Sequence, residues 1–101
     1  MDYLLFEFSE DTDGLGVFEA MASTPKAQFA MVQAEAQQVL NWARQHFPHG
    51  PGPIEEGHDW DLDEQIQQEE SLIGDVWHTL TLSLTGTPAF CDAFGQQFLC
   101  D

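Results

Sequence analysis

Two consecutive segments in the second half of the chain alternate between apolar and polar residues, and this pattern constrains the fold most strongly. Residues 76–85 read VWHTLTLSLT, and residues 58–66 read HDWDLDEQI. A period of two is typical of a β-strand with one buried face. Because a turn at residues 71–75 lies between the segments, they predict a hairpin over residues 58–85. In the first strand the apolar parity holds Trp60 and Leu62, and acids occupy the other parity at Asp59, Asp61 and Asp63.

The N-terminal residues follow a similar pattern. Leu4, Phe6 and Phe8 share one parity, and a turn that contains Gly14 and Gly16 follows them. Glycine can take a positive φ without steric cost, so it suits a tight turn. These features predict a first hairpin over residues 3–22.

Each predicted hairpin is followed by a predicted helix that begins with Thr-Pro. Threonine is a good N-cap, and proline in the first turn lacks only an N–H that would have no helical partner. The first helix is predicted over residues 24–47, with Thr24 as its N-cap, and a loop follows over residues 48–57. The second helix is predicted over residues 87–98. Apolar residues three or four positions apart give each helix one buried stripe.

The order ββαββα predicts an α+β fold. We expect a two-layer sandwich, in which a four-stranded, mostly antiparallel sheet carries both helices on one face. The 101 residues predict a single domain over residues 1–101. The strand order stays open at this point.

The charge of the chain is extreme. Eighteen acidic residues stand against only Lys26 and Arg44, which gives a formal net charge of −16. Such a field repels nucleic acid and anionic membrane surfaces, so we expect no direct binding to either. It attracts cationic proteins and speeds their encounter. The alternative is that the acidity serves only solubility.

The N-terminal residues lack the basic region and apolar run of a signal peptide. No apolar run approaches the roughly 18 residues of a membrane helix. We therefore expect a cytoplasmic protein in which Cys91 and Cys100 are free thiols. A disulfide between the two is the open alternative.

The sequence contains no recognisable catalytic motif or glycine-rich phosphate loop, so we expect no enzymatic activity and no cofactor. Three histidines and nearby acids form one cluster with the composition of a metal site, since imidazole and carboxylate bind borderline metals. Its spacing matches no zinc finger, and a solvated loop is the simpler explanation. The candidate ligands are His46, His49 and His58.

The sheet face away from the helices is the predicted binding surface. Its acids are expected to attract and pair with a partner, and its aromatic residues to anchor it. Acids at alternate strand positions stand about 6.6–6.8 Å apart and coarsely imitate a phosphate backbone. The predicted partner-binding residues are Asp59, Asp61, Asp63, Glu64, Glu7, Glu19, Tyr3 and Trp77.

These features predict a non-catalytic acidic protein that docks on a cationic protein and inhibits or regulates it. The partner class includes nucleases and other nucleic-acid-binding proteins, whose basic grooves an acidic mimic would occupy. In size and acidity the chain resembles nuclease-immunity, anti-restriction and anti-CRISPR proteins. Two alternatives stay open, a small homodimeric assembly module and a metal-binding protein that uses the three histidines.

Overall fold

The structure is a computed structural model that describes residues 3–11 and 13–99. It contains an antiparallel sheet and two helices, which confirms the predicted α+β class. The elements are β1 (Glu7–Glu10), β2 (Gly16–Pro25), α1 (Lys26–His46), a 3₁₀ turn (Ile54–Glu56), β3 (Trp60–Glu70), β4 (Val76–Gly86) and α2 (Pro88–Phe94), which a π-helical turn (Gly95–Leu99) continues.

The four strands lie in the order β1-β2-β4-β3, and every neighbouring pair is antiparallel. β2 and β4 form the centre and pair from Gly16↔Gly86 to Pro25↔Trp77. β3 pairs with β4 along its full length, and no strand within residues 3–11 and 13–99 pairs with its other edge, which we call open. β1 is shorter than predicted, because residues 4–6 do not form strand.

One hydrophobic cluster joins the sheet to both helices. The strand residues in it share one parity, which defines the core face of the sheet, and burial of their apolar area is the main source of stability. The helices contribute the stripes centred on Val32 and Val39 in α1 and on Phe90 and Phe94 in α2. The buried residues of the core face are Phe18, Ala20, Ala22, Trp60, Leu80, Leu82 and Leu84.

Trp60 connects the start of β3 to both helices. Its side chain is 0% exposed, and its ring stacks on that of Phe90 in α2 with centroids 5.7 Å apart. Its Nε1–H donates a hydrogen bond of 2.8 Å to the carbonyl of Phe47, the residue after α1. Because a buried indole needs a partner for its N–H, this bond fixes the ring as well as burying it.

The two Thr-Pro pairs behave differently. The Thr87 hydroxyl accepts a hydrogen bond from the N–H of Phe90 at 3.4 Å, as predicted for an N-cap. The predicted cap at Thr24 is wrong, because β2 continues through Pro25 and α1 begins only at Lys26. Thr24 pairs with His78 in the sheet, and its buried hydroxyl has no hydrogen-bond partner among the residues that the structure describes. A residue before proline favours the extended conformation, which lets the strand run on.

Candidate binding surface

The strand residues of the other parity form a second face of the sheet, which we call the outer face. They are exposed or half-buried, whereas most of their neighbours on β2 and β4 are buried. None of them is Lys or Arg. The outer face consists of Glu7, Ser9, Val17, Glu19, Met21, Ser23, Asp61, Asp63, Gln65, Gln67, Glu69, Trp77, Thr79, Thr81, Ser83 and Thr85.

One row across the outer face contains three acids. Glu7 lies opposite Glu19, and Ser83 stands between Glu19 and Asp63. Neighbouring strands are about 4.7–4.9 Å apart, so the first two carboxylates are direct neighbours. Like charges directly opposite each other destabilise a sheet by about 0.2–1 kcal/mol. A cationic group of a partner would relieve this repulsion, and no outer-face residue supplies one.

Apolar side chains lie among these acids. Met21 is 65% exposed and Trp77 is 41% exposed, and Trp77 stands between Pro25 and Glu69 in its row. Leu5, just ahead of β1, is 75% exposed and lines one shallow cavity together with Glu7, Glu19 and Met21. Exposed apolar residues with a polar rim are typical of protein-binding surfaces.

The predicted row of Asp59, Asp61 and Asp63 is divided by the structure. Asp61 and Asp63 lie on the outer face, and the Asp61 carboxylate accepts a 2.8 Å hydrogen bond from the N–H of Leu62. Asp59 lies ahead of the strand, where its carbonyl accepts from the N–H of Thr87 at 3.0 Å. Glu64 has the parity of the core face. Glu64 therefore lies on the other side of the sheet from Asp63.

Tyr3 does not lie on the outer face, so this part of the prediction is also wrong. Its N–H donates to both carboxylate oxygens of Glu35 in α1, at 3.1 and 3.2 Å, and the N–H of Leu4 donates to one of them at 3.0 Å. The Tyr3 hydroxyl is 3.7 Å from the Met31 sulfur. Residues 4–6 are not strand, and these bonds hold the segment against α1. Leu5 extends the exposed apolar surface instead.

The three candidate metal ligands make other contacts. Nδ1 of His46 lies 2.9 Å from the carbonyl of Trp42, and the two rings stack. Nδ1 of His58 lies 3.0 Å from the carbonyl of Pro53, and His49 is exposed. In the described part of the chain, no group of three or more His, Cys, Asp or Glu side chains is placed to hold a metal ion.

The exposure of the second half of β3 was not predicted from the sequence. Residues 63–70, which we call the edge segment, are exposed at both parities. The turn that follows presents Leu72 and Ile73 to solvent and is fixed by a 2.7 Å bond from the N–H of Ser71 to the carbonyl of Asp75. The available signals were two large aliphatic residues in a turn, where polar residues are usual, and polar residues at every position of 63–70 except Ile66.

Cys91 is a half-buried free thiol between α2 and β2. Burial raises the pKa of this thiol, a backbone hydrogen bond with Gly16 lowers it, and the charges of Asp92 and Glu10 raise it further. Because the thiolate is the reactive form, a raised pKa lowers the reactivity of this thiol at neutral pH. The prediction for Cys100 lies outside the described residues.

Comparisons with protein-family models, curated protein sequences and solved structures found no match for this chain. Within residues 3–11 and 13–99, neither helix is both long and apolar enough to span a membrane. The candidate site is therefore defined by its own geometry, which is an uncovered sheet face with acids in rows and apolar residues among them.

Proposed function

We propose that this chain is a non-catalytic acidic binding protein that docks on a cationic protein and inhibits or regulates it. The observation that carries the proposal is the row in which Glu7, Glu19 and Asp63 share the outer face without a basic residue. The row costs stability, and a basic partner surface would convert that cost into binding energy.

The architecture supports this proposal. In a two-layer sandwich of ββαββα order the helices cover one sheet face, and the other is available to a partner. Leu5, Met21 and Trp77 supply apolar contact area on that side. We also propose a cytoplasmic location.

The net charge favours a strongly basic partner, such as a nuclease or another nucleic-acid-binding protein. Electrostatic steering raises association rates by about 10–1000-fold at low ionic strength. Asp61 and Asp63 repeat along β3 at about 6.6–6.8 Å, and the cross-strand row repeats in the second direction. A two-dimensional array of carboxylates suits a groove built to bind phosphates.

A pull-down with two matched variants tests the proposal. Each variant neutralises four acids, so the two have the same net charge and differ only in where charge is lost. The bait proteins are immobilised at equal density and incubated with native lysate at low salt. The retained proteins are quantified by mass spectrometry. The outer-face variant carries Glu7→Gln, Glu19→Gln, Asp61→Asn and Asp63→Asn, and the control variant carries Asp13→Asn, Glu55→Gln, Glu56→Gln and Asp92→Asn.

We expect the wild type and the control variant to retain the same basic protein, and the outer-face variant to lose at least about nine-tenths of it. The recovered protein should elute as salt is raised, because salt screens exposed charges. Equal retention by the two variants, or a retained protein without a basic surface, would refute the proposal.

The homodimeric assembly module remains the second candidate, because Leu5 and Met21 line one shallow cavity and Trp77 is exposed further along the same face. Face-to-face pairing of two outer faces would bring their acids together, so a dimer of this kind should tighten as salt rises. Sedimentation velocity at low and high salt distinguishes the two functions. A stable dimer that dissociates on Trp77→Ser supports assembly, and a monomer at both salts excludes it.

A further inference from the structure

We infer that the edge segment of β3 binds an extended basic segment of the partner, which joins the sheet as a fifth strand antiparallel to β3. The inference takes from the proposed function that the partner is basic. It adds how the partner binds. It combines two observations, an unpaired strand edge and side chains on that edge that include acids but no bases.

The backbone of the edge segment has unpaired groups in a known direction. The N–H of Ser71 bonds the carbonyl of Asp75 at 2.7 Å, and the N–H of Thr87 bonds the carbonyl of Asp59 at 3.0 Å. Both bonds extend the β3–β4 hydrogen-bond ladder, and on the β3 side they involve the odd-numbered residues 59 and 71. The odd-numbered residues of β3 therefore direct their N–H and C=O groups towards β4. In an antiparallel edge strand the alternate residues direct N–H and C=O away from the neighbour. The even-numbered residues Glu64, Ile66, Gln68 and Glu70 therefore direct these groups to the open edge.

The first residues of β3 have their outward groups satisfied. The carbonyl of Trp60 accepts a 3.1 Å hydrogen bond from the N–H of Gly52. The N–H of Leu62 donates a 2.8 Å hydrogen bond to the carboxylate of Asp61, the preceding residue. Both contacts are consistent with even-numbered residues whose backbone N–H and C=O groups point away from β4. They also show that the edge is occupied up to Leu62 and becomes available at Glu64, where both parities are exposed.

The edge segment lacks two usual defences against strand addition. Its pairing with β4 continues from Trp60↔Gly86 to Glu70↔Val76 without a bulge, and it contains no proline. Its acidic side chains are the remaining feature that opposes the addition of another strand. An antiparallel copy centred on position 67 would place Glu64 opposite Glu70, and one centred on position 66 would place Asp63 opposite Glu69. These clashes disfavour a second copy of the chain, and a strand with Lys or Arg at the same positions turns each into an attraction.

The register specifies the complementary sequence. Basic residues should oppose the acids at 63, 64, 69 and 70, and an apolar residue should oppose Ile66, which is 50% exposed on the core-face side. An antiparallel probe with this pattern is the peptide KKTTITKK, labelled with a fluorophore. Its odd-numbered residues direct their backbone groups to β3.

Fluorescence anisotropy with the full chain tests the inference through two N-methylated peptides of equal charge. Methylation at the third and fifth residues removes N–H groups that face β3, and methylation at the fourth and sixth removes N–H groups that face solvent. We expect the first to weaken binding about tenfold or more and the second to change it less than about twofold. Equal effects would show attraction by charge alone and would overturn the inference, as would absence of binding by the unmodified peptide.

A pair of protein variants gives an independent measurement. Gln68→Pro removes one outward N–H, which an edge strand tolerates without loss of its ladder to β4, and Gln68→Ala keeps it. We expect about tenfold weaker peptide binding for the proline variant alone, with circular dichroism as the check on folding. If the peptides fail these tests while the outer-face variant still loses its basic partner, strand addition is wrong and the proposed function stands.

Discussion

The two halves of β3 share one strand and one register but have opposite environments. Trp60 is completely buried at the start of the strand, whereas Ile66, on the same face, is 50% exposed. Every residue from Asp63 to Glu70 is exposed. The difference follows from the core-face positions, which hold Trp and Leu in the first half and mostly Glu and Gln in the second.

This contrast separates the half of the strand that stabilises the fold from the half that we propose binds a partner. The first half fixes the hairpin to the core through Trp60 and its contacts with Phe90 and Phe47. The second half is held in an extended conformation by its pairing with β4, and its side chains and outer edge are exposed. Substitutions in the two halves should therefore affect different properties.

The largest expected effect compares the tryptophans of the two environments. Trp60→Ala leaves a large core cavity and should lower the free energy of unfolding by about 3–5 kcal/mol. Trp77→Ala, on the outer face, should lower it by less than about 1 kcal/mol. Urea unfolding followed by circular dichroism measures both. Similar losses for the two variants would contradict the division of the sheet into a core face and an outer face.

The next comparison uses direct cross-strand partners, Leu80 in β4 and Ile66 in the edge segment. Leu80 is 1% exposed, so Leu80→Ala should cost about 2–5 kcal/mol. Ile66→Ala removes a side chain that is half in water and should cost less than about 1 kcal/mol. The denaturant midpoints of the two variants provide the measurement, provided that their unfolding free energies depend on denaturant with the same slope. An Ile66 effect as large as that of Leu80 would mean that the edge segment is covered.

Two glycines sharpen the same comparison at the hairpin ends. A Cβ at Gly86 would clash with the ring of Phe90, so Gly86→Ala should cost about 1–3 kcal/mol through overpacking. Gly74 has φ +90 and open space around it, so Gly74→Ala should cost about 1–2 kcal/mol through backbone strain. Asparagine tolerates positive φ and should recover most of the loss at position 74 but none at position 86. Thermal denaturation of the four variants distinguishes the two causes.

The smallest expected effect has the opposite sign. Glu19→Gln removes the repulsion with Glu7 and should raise the free energy of unfolding by about 0.2–1 kcal/mol while weakening partner binding. Glu64→Gln is the control, because its cross-strand neighbour is Leu82, and it should leave stability unchanged. Chemical denaturation at low salt shows the difference best. A destabilised Glu19→Gln protein would mean that this carboxylate has a structural role.

The sequence predicted the fold class because hydrophobic period is a local signal. Alternation identified β2, β3 and β4, and helical spacing identified α1 and α2. The strand order depends on contacts far apart in the chain, which a local pattern does not specify. Tyr3 was misplaced because the Glu35 carboxylate, 32 positions away, determines where it lies.

The candidate surface was predictable only in part. The outer-face positions of Asp61 and Asp63 follow from parity, whereas their grouping with Glu7 and Glu19 requires the strand order. The open edge of β3 also depends on that order. A pattern of side chains therefore identified the acids, and the topology determined which of them act together.

The association rate constant of the recovered basic protein, measured against salt, tests the central claim most directly. Surface plasmon resonance compares the wild type, the outer-face variant and the equally charged control variant over a range of sodium chloride concentrations. We predict steep salt dependence for the wild type and the control, and a slower, nearly flat rate for the outer-face variant. Three equal slopes would contradict the claim that the outer face directs binding.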